Sequence, residues 1–380
     1  MKTTGPQRVS PDIAEKHEAP KCNRGDDQMR RFVIFLMASG ILLLSASIFA
    51  QQQDDSRPGK ASNGTPLKLV GKYEFPNNVT GRFDHILVDL KTQRLFTTPQ
   101  STKAVMVFDL KTRELIHTLP GIAIPHHLLY REDLNRLYVT DGGEGGALRI
   151  FDGKTYELLK SVPLLPDADP SIYDPATKLL YVENGGKDAK MDYSTINIIN
   201  TTSGENLASL TVDTPGLDGM AIEPSGPRLY ETDVAKNRIV VIDRVARKVI
   251  ATWPITLGKT AVTLALDEPH HRLFVGCRSG HIIVFDTATG KELQALPINQ
   301  GVDDLSFDVK ARRLYAACPA GDGSIDVYKQ LDPDHYVSLG QVPSGPGART
   351  GELVSALGRY YVAVPQRDAT NAQILEYQIQ

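Results

Sequence analysis

A short apolar motif, usually preceded by arginine, recurs seven times along the chain and marks an equivalent strand in each repeat. The central residues of the seven copies are Leu95, Leu137, Leu180, Leu229, Leu273, Leu314 and Tyr360. Neighbouring copies lie 41 to 49 residues apart. A repeat length in the forties is typical of β-propeller blades, each of which is a small antiparallel sheet. The pattern therefore predicts seven blades.

Alternating apolar and polar segments flank each motif, and turn-forming residues separate them. One segment before the motif, the motif itself and two segments after it give four strands per repeat. An Asp or Asn commonly ends the third segment, as Asp109 and Asp286 do. We expect these side chains to accept hydrogen bonds from backbone N–H groups of the following turn, which is how short polar side chains stabilise turns.

The seventh repeat ends at residue 380, after its third predicted strand. Residues 67–75 alternate like a strand and precede the first complete repeat, so they can supply the missing fourth strand. Pairing the two ends of the chain would close the ring and remove exposed sheet edges. The predicted fold is therefore all-β: a seven-bladed β-propeller over residues 67–380, with four-stranded blades and a ring closed by an N-terminal strand.

The N-terminal region contains a 19-residue segment without a charge, residues 32–50, which follows Arg30 and Arg31. This pattern is typical of export signals, and cleavage after Ala50 would suit a signal peptidase. A retained membrane anchor stays open as the alternative, because 19 apolar residues can span a bilayer. We predict an N-terminal extension at 1–28, which translation from Met29 would omit, a signal peptide or anchor at 29–50, and a polar linker at 51–66. The protein is then exported to the periplasm or the extracellular space.

Charge and cysteine content narrow the function classes. The chain has 42 basic and 45 acidic residues and a net charge of -3, so it lacks the basic surface that nucleic acid requires. Cys277 and Cys318 occupy equivalent positions in neighbouring repeats, where the Cα separation exceeds what a disulfide allows. We expect two unpaired, semi-buried thiols.

Several phrases resemble the YVTN-repeat β-propellers, a family of exported bacterial proteins. They include residues 136–140, Arg-Leu-Tyr-Val-Thr, and residues 282–290, which run from Ile282 to Gly290. A narrower resemblance, to an uncharacterised subgroup of that family, rests on GRFDHILVD at 81–89, VDDLSFD at 302–308 and GART at 347–350. The resemblance implies a propeller fold and export. It implies no particular reaction, because function in the family is mixed.

The first strand of each blade lines the central channel, so residues at the start of these strands should meet at one channel mouth. Those that carry chemistry are Asp84, His85, His126, His127, Asp169, Asp218, Asp303, Asp304 and Arg349. Carboxylates, imidazoles and a guanidinium in one place can bind a divalent metal ion or a small anionic molecule, or perform acid–base chemistry. Turn capping accounts for aspartates at such positions, but not for three histidines at one level. We therefore predict a ligand-binding site here, with a divalent metal as the candidate cofactor.

Two functions fit this site. The first is a binding protein that holds a small ligand, a metal or a partner protein at the mouth. The alternative is a hydrolase resembling the seven-bladed lactonases, with a mouth His or Asp as general base and Arg349 stabilising the oxyanion. The sequence has no Walker loop, GxSxG or HExxH motif, which favours the first, although enzyme and binding module both stay open. Membrane contact is expected only through an uncleaved residue 32–50 segment.

Overall fold

The computed structural model describes residues 64–380. The predicted extension at 1–28, the signal peptide or anchor at 29–50, and most of the linker lie outside the described residues. Within the described range the chain forms seven antiparallel sheets of four strands each. No helix in this range is long and apolar enough to cross a membrane. The predicted all-β, seven-bladed propeller is confirmed.

The strands follow one another in chain order, four to a blade. The first is β1 (Leu67–Glu74). Blades 1 to 3 comprise β2 (Phe83–Asp89), β3 (Arg94–Pro99), β4 (Ala104–Asp109) and β5 (Leu115–Pro120); β6 (Pro125–Arg131), β7 (Arg136–Asp141), β8 (Ala147–Asp152) and β9 (Leu158–Pro163); and β10 (Ser171–Asp174), β11 (Leu179–Gly185), β12 (Ser194–Asn200) and β13 (Glu205–Val212).

Blades 4 to 7 repeat the arrangement. They comprise β14 (Leu217–Ile222), β15 (Arg228–Asp233), β16 (Arg238–Asp243) and β17 (Lys248–Pro254); β18 (Ala261–Asp267), β19 (Arg272–Cys277), β20 (His281–Asp286) and β21 (Lys291–Pro297); β22 (Asp304–Asp308), β23 (Arg313–Cys318), β24 (Ser324–Asp332) and β25 (His335–Pro343); and β26 (Thr350–Val354), β27 (Arg359–Val364) and β28 (Gln373–Ile379). Short 3-10 helices lie at Gln100–Thr102, Glu268–His270 and Ser355–Leu357.

The N-terminal strand completes the seventh blade. In that sheet the strand order is β1-β28-β27-β26. β1 runs antiparallel to β28, and its first residue, Leu67, lies opposite Ile379 near the end of the chain. The outermost strand of the last blade therefore comes from the start of the propeller, as the sequence predicts.

The hydrophobic core lies between neighbouring blades. Phe96 and Val107 of blade 1, for example, pack in one cluster with Leu137 and Val139 of blade 2. The central residues of the seven repeat motifs are all at most 1% exposed. Because each repeat buries its apolar faces only against its neighbours, the alternation along each strand and the repeat length together specify the ring.

The predicted turn caps are present after the third strands of the first five blades. The Oδ1 atom of each cap accepts hydrogen bonds from the backbone N–H groups two and three residues ahead, at 2.7 to 3.1 Å. The capping residues are Asp109, Asp152, Asn200, Asp243 and Asp286. These five side chains cap the turns, as the sequence predicts.

Cys277 and Cys318 are unpaired, as expected. Both are fully buried, so the expectation of semi-buried thiols is wrong. Each is the last residue of a second strand, β19 and β23, where the neighbouring blade covers it. Burial raises the pKa of Cys277 to about 12, which leaves this thiol protonated and unreactive.

Candidate functional site

The first strands begin at one end of the channel, which is the channel mouth. A threonine in the second strand of three blades fixes the backbone there. Its Oγ1 atom accepts a hydrogen bond at 2.8 Å from the N–H group at the start of the first strand of its own blade. The pairs are His85 with Thr98, His127 with Thr140, and Gly219 with Thr232. The strand starts are therefore held by side chains of the same sheet.

A cavity of about 620 Å³ opens at the mouth. Its lining includes eight of the nine residues predicted from the sequence: Asp84, His85, His126, His127, Asp169, Asp218, Asp303 and Asp304. Arg349 is not among the lining residues. The fold thus brings residues that are far apart in the sequence to one cavity, while their role in ligand binding stays a prediction.

Three of these residues form a compact cluster, called the triad: Asp84, His126 and Asp169. The Nδ1 atom of His126 contacts Asp84 Oδ2 and lies 3.2 Å from Asp169 Oδ1. The three potential ligand atoms lie within 4.8 Å of one another, and no other group of three such residues meets this limit within residues 64–380. His126 is only 6% exposed. The triad therefore offers two carboxylate oxygens and one imidazole nitrogen from three successive blades.

Electrostatics explain how the triad is held together without a ligand. Burial alone would lower the pKa of His126, but the carboxylates of Asp169 and Asp84 outweigh it and raise this pKa to about 11. Burial would conversely raise the pKa of Asp84, and the adjacent His126 instead depresses it strongly. The charged His126 imidazole between the two carboxylates thus holds the triad together. Metal binding would displace a proton from His126, because metal ligands bind deprotonated.

The two remaining mouth histidines, His85 and His127, pack edge to face, with ring centroids 4.3 Å apart. Burial and the neighbouring His85 lower the pKa of His127 well below its usual value. Burial would lower the pKa of His85 as well, but Asp84 outweighs it and raises this pKa to about 9. The His127 Nδ1 atom lies 2.7 Å from Ser171 Oγ, which fixes the orientation of the ring. The pair thus combines one charged and one neutral imidazole.

Across the channel, Asp303 is paired with two arginines. The Nε atom of Arg278 donates to Asp303 Oδ1 at 3.1 Å, and Arg349 Nη1 lies 3.5 Å from Asp303 Oδ2. The predicted mouth arginine therefore faces an aspartate rather than the cavity. Arg278, which the sequence analysis did not single out, lines the cavity in its place.

Asp304 and Glu352 carry raised pKa values on the same side. Burial raises the pKa of Asp304 to about 7, against the opposing effect of His85 and a hydrogen bond of 2.8 Å from the Gly351 N–H. Burial and Asp304 raise the pKa of Glu352 to about 8. Both groups therefore titrate near neutral pH.

Several lining residues were missed by the sequence analysis. Arg278 follows the second strand of blade 5, and Asp167 precedes the first strand of blade 3. Glu352 and Ser171 lie inside or at the start of first strands, and Gln100 lies in a loop between second and third strands. Strand alternation could have found Glu352, because it is the third residue of β26. The loop residues carry no comparable signal.

Comparisons with known proteins support the fold alone. No protein-family model matches the sequence, and no curated protein matches it. Among solved structures, the Kuenenia stuttgartiensis hydrazine synthase is similar, with a TM-score of 0.64. The similarity covers 77% of this chain and 98% of that chain, at 17% sequence identity. At this identity the likeness shows a shared propeller architecture and says nothing of the reaction.

Proposed function

We propose that this propeller binds a divalent metal ion at its channel mouth through Asp84, His126 and Asp169, and that the ion anchors a small ligand in the cavity. The observation that carries the proposal is the approach of three ligand atoms to within 4.8 Å. Carboxylate and imidazole ligands suit Zn²⁺, Mn²⁺ and similar ions. Three protein ligands leave coordination positions free, which is the arrangement of sites that bind exchangeable ligands.

The surroundings of the triad fit this function. Asp84 and Asp169 are both partly exposed to the cavity, so an ion there is accessible from the mouth. A volume of about 620 Å³ lies in the range of small-molecule sites. The lining is mostly polar, and its aspartates and histidines offer hydrogen-bond partners around the ion. A small polar molecule is the ligand that this cavity favours.

Metal binding is tested on purified protein by isothermal titration with Zn²⁺ and Mn²⁺ and by elemental analysis. The wild-type protein should bind one ion at the mouth, and Asp84→Asn and His126→Gln should each weaken this binding at least 10-fold. His117→Gln is the matched control, because His117 lies on an outer strand and stacks on Tyr156. Equal binding by His126→Gln and His117→Gln would overturn the proposal.

We also propose that the protein is an exported member of the YVTN-repeat family. The motifs at residues 136–140 and 282–290 and the uncharged segment at 32–50 support this. Expression in a bacterial host, followed by cell fractionation and mass spectrometry of the N-terminus, tests it. Cleavage after Ala50 would support a signal peptide. An intact N-terminus in the membrane fraction would support the anchor, and an intact soluble protein in the cytoplasm would contradict export.

A hydrolase is the second candidate function, and the contact between His127 and Ser171 favours it. The His127 tautomer whose Nδ1–H donates to Ser171 Oγ, 2.7 Å away, leaves the other ring nitrogen to act on a bound molecule as a general base. The predicted role of Arg349 at the oxyanion has little support, since its guanidinium faces Asp303. Hydrolysis of a lactone panel with added Zn²⁺ or Mn²⁺, lost in His127→Gln, would support the hydrolase. No turnover by the metal-loaded protein would count against it.

A further inference from the structure

Two buried glutamates lie in the neighbouring blades 3 and 4. Glu183 lies in β11 and Glu231 in β15, and they are 5% and 0% exposed. Side chains alternate along a strand, so Glu183 points the same way as Tyr181, and Glu231 the same way as Leu229. Tyr181 and Leu229 belong to one hydrophobic cluster between these two blades. The two carboxyl groups, called the inner pair, therefore enter the same interface.

The inner pair lacks compensating positive charge. Both carboxylate oxygens of Glu231 are buried without a hydrogen-bond partner. Among residues 64–380, no lysine, arginine or histidine forms a salt bridge with either glutamate. An isolated buried carboxylate is strongly unfavourable unless it gains a proton or a cation. Burial and the charge of Asp218 accordingly raise the pKa of Glu231 well above its usual value.

The position of these acids within the repeat sets them apart. At the strand position of Glu231, the other blades have small or apolar residues: Thr97, Val139, Val182, Val275, Ala316 and Val362. At the position of Glu183, they have Thr98, Thr140, Thr232, Gly276, Ala317 and Ala363. Apolar residues in place of buried ionic groups are often neutral or stabilising. At these two strand positions the other blades carry glycine, threonine or apolar residues. Two acids that enter the same interface therefore point to a ligand.

Asp218 connects the inner pair with the cavity. It lines the mouth at the start of blade 4 and forms no salt bridge in the described part of the chain. It lies on β14 two residues before Met220, which pairs with Glu231 on the neighbouring strand, and its charge contributes to the raised pKa of both glutamates. Asp218 is partly exposed at the cavity, whereas both glutamates are buried.

We propose that Glu183, Glu231 and Asp218 form an inner site for a hard divalent cation, with Ca²⁺ as its probe. The inner site shares no ligand with the triad, and it offers oxygen ligands only, which Ca²⁺ prefers. The oxygens of these three residues are not within 4.8 Å of one another in this structure. Binding therefore requires Asp218 to turn toward the glutamates.

The test uses the full chain carrying Asp84→Asn and His126→Gln, so that the triad contributes no ion. Calorimetric titration should show one Ca²⁺ bound. At a Ca²⁺ concentration 100 times the Kd, Tm should rise by roughly 3–5 °C, as expected for a ligand that binds only the folded state. Adding Glu231→Gln to this protein should abolish both effects. Adding Glu205→Gln, an exposed glutamate on β13, should change neither.

The Glu231→Gln variant is expected to fold, so a loss of Ca²⁺ binding can be distinguished from unfolding. Without Ca²⁺ the raised pKa of Glu231 keeps this carboxyl group protonated, and Glu231→Gln replaces it by a neutral amide of the same size, so the variant should be about as stable as its parent. Absence of Ca²⁺ binding in the triad-deficient protein would overturn the inner site, as would equal Ca²⁺ binding after Glu231→Gln. A rise in stability from Glu231→Gln without any Ca²⁺ effect would mean that protons alone compensate the pair, and would also overturn it.

Discussion

Thr140 Oγ1 donates a hydrogen bond at 2.9 Å to the backbone carbonyl of Asp169 in the next blade. The same oxygen accepts a hydrogen bond at 2.8 Å from the His127 N–H in its own blade. One hydroxyl thus links the starts of two first strands, which carry the triad residues His126 and Asp169. Thr140 is a positioning residue, since it acts on the site through the backbone.

Thr140→Val should therefore weaken metal binding while the propeller stays folded. Removing a group that orients metal ligands typically costs 10- to 100-fold in affinity, and we expect roughly 10-fold. Thr232→Val is the matched control, because Thr232 accepts the equivalent bond from Gly219 in blade 4, which carries no triad residue. Calorimetric Kd values of the two variants check this. An equal loss of affinity in both would assign Thr140 a purely structural role.

Gly142→Ala should displace His126 of the triad, because the added methyl group meets the ring on the side away from the two aspartates. A Cβ atom at this position would lie 2.6 Å from His126 Nε2, closer than van der Waals contact allows. Because Asp84 and Asp169 hold the other side of the ring, His126 can yield only by leaving its ligand position. We expect a loss of metal affinity of at least 10-fold. Gly145→Ala, in the same loop with no atom within 4 Å of the added methyl, should bind metal like the wild type.

The buried ion pair between Asp174 of blade 3 and Arg244 of blade 4 should make stability depend on pH. Burial would raise the pKa of Asp174, but Thr177, the Ala176 N–H and Arg244 together lower it below 3.8. Its contribution to stability is therefore present above about pH 4 and is lost as the pH falls through the lowered pKa. Asp174→Asn should cost roughly 1.5–3 kcal/mol at pH 7.

Urea denaturation between pH 7 and pH 2.5 checks this pH dependence. The difference in free energy of unfolding between the wild type and Asp174→Asn should stay constant above about pH 5 and narrow below pH 4. Asp213→Asn, whose carboxylate is exposed, should leave the free energy of unfolding unchanged at every pH. If the difference in free energy of unfolding were equally large at pH 2.5, the pH dependence could not be assigned to the Asp174 carboxylate.

Closure of the ring depends on the packing of β1. Leu67 is 1% exposed and belongs to the cluster that includes Tyr377 of β28. Leu67→Ala should lower the free energy of unfolding by roughly 2–5 kcal/mol, the range for buried leucines. Leu69→Ala alters a side chain that is 53% exposed on the same strand and should have little effect. Chemical denaturation of both variants checks this, and similar values for the two would mean that β1 contributes little.

The fold was predictable because its signals are local and repeated. The alternation around Leu95 or Leu314 specifies a strand, and the distance between the motifs specifies a blade. The missing strand after residue 380 and the extra strand at residues 67–75 specify closure. None of these steps needs side-chain geometry. The segment at 29–50 was interpreted from its composition, and its role as a signal peptide or anchor stays a prediction.

The sequence predicts which residues lie at the channel mouth, because this depends only on the topology of the repeat. A shared position in the repeat placed Asp84, His126 and Asp169 at one mouth. Which carboxylate pairs with which cation depends on rotamers and on the approach of neighbouring blades, so the pairing of Arg349 with Asp303 was not foreseen. Arg278 lies in a loop without periodicity and left no pattern to follow.

The inner pair was missed although the sequence carried a signal for it. Strand alternation predicts that the fourth residue of each second strand is buried, and Glu231 stands there in place of a small or apolar residue. Comparing the seven repeats position by position would have marked this acid. A carboxylate at a predicted core position is as informative as a polar residue at the mouth.

The strand that closes the ring also sets an order of events during synthesis. β1 is the first propeller strand to be synthesised, yet its partner β28 lies about 300 residues later. Until the last blade is made, the nascent chain carries a strand with unpaired backbone groups, which is a template for aggregation. The triad, in contrast, needs only blades 1 to 3, so its ligands are already available when translation is half complete. The proposed metal site can therefore assemble before the ring closes, and the backbone groups of β1 stay unpaired until β28 is added.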